Sequence, residues 1–181
     1  MADPIIRIAV IGPESSGKSD LCAFLADYYD TVWVKEYART YLPLLKAKYT
    51  AADIYRIYSM QYDQELELTK NATDIIFIDT EFIIGKVWSE SAFGKCDPYF
   101  DNMIHQAPYD LYLLTYPDLP WVFDPLRENP GKGIYYFDWY KRILDENNLP
   151  YGIVSGTGHH RQQSAIAIIS SYRAKISKDI Q

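Results

Sequence analysis

An eight-residue string constrains the fold of this chain more than any other feature. Residues 12–19 read GPESSGKS, which matches the pattern G-x-x-x-x-G-K-[ST] of a phosphate-binding loop in full. Such a loop joins a strand to a helix. The apolar run IIRIAVI at 5–11 predicts the strand, and the segment from Lys18 to about Tyr29 predicts the helix. The string therefore predicts a βα unit that binds phosphate at its turn.

The residue types of the loop explain how it would bind phosphate. Gly12 and Gly17 permit backbone conformations that a Cβ would block, so that the loop amides form a nest for an anion. We expect Lys18 to reach the β- and γ-phosphates of a nucleotide and the Ser19 hydroxyl to ligate Mg²⁺. The other nucleotide-binding candidates fill the variable loop positions and are Pro13, Glu14, Ser15 and Ser16.

The rest of the chain alternates short apolar runs with helical segments. Further strands are predicted at 31–34, 74–78, 110–115 and 151–155. Further helices are predicted at 36–45, 51–70, 81–91, 100–106, 134–147 and 161–175. This alternation predicts an α/β fold, a parallel sheet with helices on both faces. No repeat or linker divides the sequence, so we expect one domain over 1–181.

A second signal for nucleotide chemistry ends the predicted third strand. The apolar run IIFI at 75–78 leads into Asp79, which resembles a Walker B element. Strand ends of a parallel sheet meet at the edge where ligands bind. There Asp79 could hold Mg²⁺ through a water or accept a proton from an attacking hydroxyl. Glu81, two residues further on, is a candidate for binding the substrate or for the shell around the metal.

Other candidate residues follow the remaining strands. After the second strand, Glu36 is expected to bind ribose hydroxyls and Arg39 a phosphate; the alternative is a surface ion pair between the two. Trp88 and Trp121 are candidates for stacking on a substrate ring, or for the core. The segment after the fifth strand, with Gly156 and Arg161, is expected to cradle adenine.

A long loop is predicted between the fourth strand and the next helix. Residues 117–133 contain four prolines and two glycines, and connections of this length are usually functional. We expect Arg127 and Lys132 to close over the phosphates as a lid, with Arg127 acting in catalysis. The alternative is that Arg127 merely pairs with Glu128 or another surface acid.

Charge and composition disfavour several classes of function. The net charge is −6, from 18 basic and 24 acidic residues, which argues against nucleic acid as a partner. No apolar run reaches the length of about 18 residues that a membrane span needs, and no secretory signal is seen. Cys22 and Cys96 do not form a disulfide framework. We therefore expect a cytoplasmic protein that acts on a small molecule.

Two classes of function remain open at this point. A small-molecule kinase needs an acceptor pocket, a lid and an adenine loop, and the sequence has candidates for each. A nucleotide-dependent switch or binding protein, either an ATPase or a GTP-binding protein, would use the same phosphate site without an acceptor. The guanine-reading string N-K-x-D is missing, because its nearest equivalent, NATD at 71–74, lacks the lysine.

Several strings together resemble the ribosylnicotinamide kinase domain of NadR-type bacterial proteins. In chain order they are GPESSGKS, WVKEYARTYL, IIFIDTEF with KVWSE, YDLYLL and DLPWVFDPLRENP. The resemblance implies a P-loop NTPase fold with five parallel strands in the order 2-3-1-4-5. It also implies phosphorylation of nicotinamide riboside to nicotinamide mononucleotide, with ATP and Mg²⁺. By position, residues 12–19 would hold the ATP phosphates, Asp79 would be the acidic catalytic residue and Arg127 would lie in the lid. The residues implied around the riboside are Glu36, Trp121 and Asp124.

Overall fold

The computed structural model describes residues 5–106 and 109–179. Within these ranges five parallel strands form one sheet in the order β2-β3-β1-β4-β5, which confirms the implied order. The strands are β1 Ile6–Ile11, β2 Trp33–Val34, β3 Ile75–Asp79, β4 Leu111–Thr115 and β5 Tyr151–Val154. The carboxyl ends of β1, β3 and β4 lie side by side, because β1 pairs with both neighbours. The phosphate loop follows β1, Asp79 is the last residue of β3, and the predicted lid follows β4.

Helices connect the strands and cover both faces of the sheet. They are α1 Lys18–Tyr28, α2 Ala38–Tyr41, α3 Ala51–Thr69, α4 Phe82–Phe93, α5 Pro98–Gln106, α6 Gly133–Glu146 and α7 Gly158–Asp179. The helix predicted at 36–45 is shorter than expected. A 3₁₀ turn over Leu42–Leu44 follows α2, because Pro43 has no N–H with which to continue an α-helix. The structure has no helix or strand over residues 116–132, as predicted for this loop.

The core is divided between the two faces of the sheet. Successive side chains of a strand point to opposite faces, so Ile8 and Val10 pack against α1 and α7, whereas Ala9 and Ile11 face the other helices. All four side chains are fully buried. The continuous apolar runs of the sequence are thus explained by a sheet covered on both sides.

Helix α3 begins at a capping box formed by Thr50 and Asp53. The Thr50 hydroxyl accepts from the backbone N–H of Asp53, and the Asp53 carboxylate accepts from that of Thr50. The buried face of this helix contains two polar residues, Gln61 and Glu65. Among the described residues, no helix combines the length and the apolar character needed to cross a membrane.

Candidate functional site

The phosphate loop is packed tightly against the end of β4. Gly12 has φ +147°, and a Cβ placed there would lie 2.0 Å from Thr115 Oγ1, so only glycine fits. The buried Ser16 hydroxyl lies 2.6 Å from Thr115 Oγ1 and donates to the carbonyl of Pro13 at 2.7 Å. Lys18 Nζ donates to the same carbonyl at 2.9 Å. The loop is therefore a preformed turn with its lysine folded over it.

Arg161 supports the loop from below and does not line the site. Its side chain is 6% exposed and forms an ion pair with Asp118. The guanidinium also donates to the carbonyls of Ser16 at 2.6 Å, Gly156 at 2.9 Å and Tyr116 at 3.0 Å. Arg161 and Gly156 do not line the main cavity, and their contact with the nucleotide stays a prediction. Arg161 instead ties the loop to the ends of β4 and β5.

Asp79 and Ser19 meet beside the loop. The Ser19 hydroxyl donates to Asp79 Oδ2 at 2.5 Å, while the buried Asp79 Oδ1 has no hydrogen-bond partner. Burial, reinforced by the negative charge of Glu36, raises the pKa of Asp79 to about 6. An unpaired carboxylate oxygen beside a hydroxyl fits Mg²⁺, which needs one or two carboxylates and takes its other oxygens from water and phosphate. The described residues contain no larger cluster of metal-binding side chains.

Gln61 holds the backbone around Asp79 and was not predicted from the sequence. Its side chain is buried on α3, where its Nε2 donates to the carbonyls of Asp79 at 3.1 Å and Thr80 at 2.8 Å. Its Oε1 accepts from the backbone N–H of Tyr37 at 2.9 Å. Thr80 has φ +67°, a conformation unfavourable for a β-branched residue. The only sequence signal for Gln61 is a polar side chain on the apolar face of a helix.

Glu81 is buried as the N-cap of helix α4, and its contact with the substrate stays a prediction. It is 2% exposed, precedes α4 as its N-cap, and accepts from the backbone N–H of Ile83 at 2.9 Å. Glu81 lies beside Tyr58 and Glu65 beneath the site and does not line the main cavity. Burial raises the pKa of Glu81 to about 8.

A cavity of about 970 Å³ joins the phosphate loop to an aromatic wall. Trp88 belongs to this wall, and its ring lies edge-on to that of Tyr49 at 5.0 Å. The remaining aromatic side chains of the wall are Tyr58, Phe93, Tyr136 and Tyr140. Trp121 does not line the cavity; it is 38% exposed and contacts Phe123, and its stacking on a substrate ring stays a prediction.

Arg39 joins two acidic candidates across the cavity. It forms an ion pair with Glu36 at 3.0 Å, as the alternative interpretation of this pair required, and a second one with Asp124 at 2.8 Å. All three side chains line the cavity. The charge of Arg39 is thus balanced by two carboxylates, one after β2 and one in the loop after β4.

The lid candidates also line this cavity. Arg127 donates to the carbonyl of Val122 at 2.5 Å and to Ser15 Oγ at 3.2 Å. It does not pair with Glu128, whose carboxylate accepts instead from the Tyr49 hydroxyl at 2.6 Å. Lys132 is exposed at the N-terminus of α6. The cavity is therefore lined by Lys18 of the phosphate loop and by both lid cations, Arg127 and Lys132.

Comparison with known proteins gives the family of this chain. A family model described as AAA domain matches residues 7–161. The chain belongs to this AAA domain family. One curated relative is the Trifunctional NAD biosynthesis/regulator protein NadR of Escherichia coli. It is 29% identical to this AAA domain chain over 155 residues, and the match covers 80% of this chain and 37% of that protein. The NadR of Salmonella typhimurium is 31% identical over 153 residues, with the same two shares. The chain thus spans 37% of the length of these relatives.

Solved structures support the same resemblance at the level of the fold. A crystal structure of NadR protein in complex with NR has a TM-score of 0.80 and 24% identity, over 93% of this AAA domain chain and 51% of that chain. A thymidylate kinase from Ehrlichia chaffeensis has a TM-score of 0.64 and 12% identity, over 92% and 99%. The resemblance to NadR-type proteins and the P-loop kinase fold are thereby confirmed.

Proposed function

We propose that this protein is an ATP- and Mg²⁺-dependent kinase that phosphorylates nicotinamide riboside to nicotinamide mononucleotide in NAD biosynthesis. The observation that carries the proposal is the cavity, which joins a phosphate loop to an aromatic wall large enough for an acceptor ring. The similarity to NadR, one of whose structures is a complex with NR, supports the choice of acceptor. The low cysteine content is consistent with a reducing compartment, so we propose the cytoplasm as its location.

The described side chains divide the work of phosphoryl transfer between them. The loop amides and Lys18 hold the nucleotide phosphates. Asp79, which ends β3 beside the Ser19 hydroxyl, either holds Mg²⁺ through a water or accepts the proton of the acceptor hydroxyl. Arg127 and Lys132 neutralise the charge that spreads over the phosphoryl oxygens. Ser19 and Asp79 would hold Mg²⁺, whose positive charge would offset the negative charge of the nucleotide phosphates.

The charges on the acceptor side favour a nucleoside over a nucleotide. Arg39 already has two carboxylate partners, Glu36 and Asp124, so a phosphate on the acceptor would have to compete with both. The same carboxylates suit ribose hydroxyls, which donate hydrogen bonds. The nicotinamide ring of the riboside is cationic, and aromatic faces such as that of Trp88 attract cations.

The second candidate function is that of a nucleotide-dependent switch. The aromatic wall disfavours this function, because a switch needs no acceptor pocket. The test is a panel of nicotinamide riboside, adenosine, cytidine, thymidine and thymidine monophosphate, each incubated with ATP and Mg²⁺ and analysed by mass spectrometry. We expect the riboside to gain one phosphoryl group fastest. Phosphorylation of no compound, together with steady ATP hydrolysis, would favour the switch.

A further inference from the structure

The side chain of Glu14 attaches the phosphate loop to the lid. Its carboxylate accepts from the backbone N–H of Glu128 at 3.0 Å and from that of Asn129 at 2.9 Å. It also accepts from Asn129 Nδ2 at 3.2 Å. Among the described residues, no lysine or arginine forms an ion pair with Glu14. Three N–H donors of the lid are therefore the partners of this carboxylate.

A carboxylate at this position is electrostatically unfavourable for nucleotide binding. Glu14 belongs to the loop whose amides and lysine would bind phosphates, and it lines the same cavity. Its negative charge repels an anionic ligand over a few ångströms. A protein with a neutral side chain at position 14 would bind ATP more tightly in the ground state. Nucleotide affinity therefore does not explain the presence of a carboxylate here.

The segment that Glu14 holds begins directly after the lid arginine. Arg127 itself donates to Ser15, the neighbour of Glu14 in the loop. Two side chains of the phosphate loop thus hold three consecutive lid residues, 127–129. Because the Glu128 and Asn129 amides are fixed, the Arg127 backbone is fixed as well, and its guanidinium is held over the loop.

The same segment is also held from the acceptor side. The Tyr49 hydroxyl donates to the Glu128 carboxylate at 2.6 Å, and the Tyr136 hydroxyl donates to Asn129 Oδ1 at 2.9 Å. Both tyrosines belong to the aromatic wall of the cavity. Residues 127–129 therefore connect the phosphate loop with the wall where the acceptor would bind.

We infer that Glu14 is a positioning residue for Arg127: its carboxylate anchors lid residues 128 and 129, and so places the guanidinium for phosphoryl transfer. The inference rests on the proposed kinase function. It predicts opposite effects on two quantities, since loss of the carboxylate weakens catalysis but removes a negative charge from the nucleotide site.

The test compares Glu14→Ala with the parent protein and with Asp138→Ala, which removes an exposed carboxylate on α6. We expect Glu14→Ala to lower kcat about tenfold, while Mg²⁺-AMP-PNP binds equally well or roughly two- to fivefold more tightly by calorimetry. Hydrogen exchange at the amides of Glu128 and Asn129 should be faster in Glu14→Ala and unchanged in Asp138→Ala. Glu14→Gln is the second variant, because it keeps the size of the side chain but places an amide group against an N–H donor.

A double-mutant cycle tests whether Glu14 acts through Arg127. If it does, Glu14→Ala combined with Arg127→Lys will be hardly slower than Arg127→Lys alone. Additive losses, an unchanged kcat, unchanged amide exchange or weaker AMP-PNP binding would each overturn the inference. If the parent protein phosphorylates no nucleoside, the proposed function fails. Amide exchange and AMP-PNP affinity then still decide whether Glu14 anchors the segment.

Discussion

At the scale of single residues, Lys18 has the most direct expected contact with the transferred group. Lys18→Ala removes a positive charge aimed at the phosphates, a loss worth about 2.7–4 kcal/mol in comparable transition states. We expect kcat to fall roughly 100- to 1,000-fold, with unchanged circular dichroism. The exposed Lys175 provides a matched control, since Lys175→Ala should retain full activity. An active Lys18→Ala protein would contradict the proposed function.

The raised pKa of Asp79 predicts how the reaction rate depends on pH. Burial raises its pKa to about 6 in the metal-free protein, and Mg²⁺ bound at the same carboxylate would lower that pKa. Because a proton acceptor has to be ionised, kcat/KM of the Mg²⁺-dependent reaction should fall as the pH decreases below this value. Asp79→Asn should bind ATP but lose transfer at every pH. The measurement is a pH–rate profile of the parent with a calorimetric ATP titration of the variant. Normal turnover by Asp79→Asn would leave Asp79 as a strand end only, with Glu36 as the next candidate base.

At the scale of elements, the loop between β4 and α6 should depend more on Arg127 than on Lys132. Arg127 presents a planar group that can contact two phosphoryl oxygens, whereas lysine presents one compact charge. Arg127→Lys should therefore lose much of the rate although the charge is kept, and Lys132→Ala should cost about tenfold, roughly 1.4 kcal/mol. Single-turnover rates at saturating ATP measure both. Equal rates for Arg127→Lys and the parent would remove Arg127 from the catalytic residues.

At the scale of the whole molecule, Glu81 links folding stability to pH. Its pKa in the folded protein is about 8, above the ordinary value of 4.5, because the side chain is buried. The folded state therefore binds a proton that the unfolded state releases. The stability that this proton contributes is complete below about pH 4.5 and is lost as the pH rises through 8.

Replacing Glu81 by its neutral isostere tests this link. Glu81→Gln keeps an oxygen for the Ile83 N–H but buries no charge. The free energy of unfolding should rise by about 1–3 kcal/mol at pH 8 and change little at pH 4.5. Chemical denaturation of metal-free protein at the two pH values measures the difference. An equal effect at both would show that the gain has a cause other than ionisation.

The whole molecule also shows which features can be predicted from the sequence. The strand order and the phosphate loop were predicted, the first through a family resemblance and the second from eight contiguous residues. The contacts of Arg161 and Glu81 could not be predicted because their partners are set by the fold: Arg161 contacts Ser16, 145 residues away. Glu14 filled a variable position of the loop pattern, and its partners lie 114 and 115 residues further along.

The contact between Arg161 and the phosphate loop determines when the site can form during synthesis. The loop is translated before every other part of the site, but its supporting guanidinium follows 145 residues later. Strand β1 lies in the centre of the sheet, and both of its neighbours also come later. On the ribosome its apolar side chains therefore remain exposed until most of the domain has emerged. Partly synthesised chains with exposed apolar strands are prone to aggregate during this period. The phosphate loop is thus the first part of the nucleotide site to be translated, and its contact with Arg161 is among the last to form.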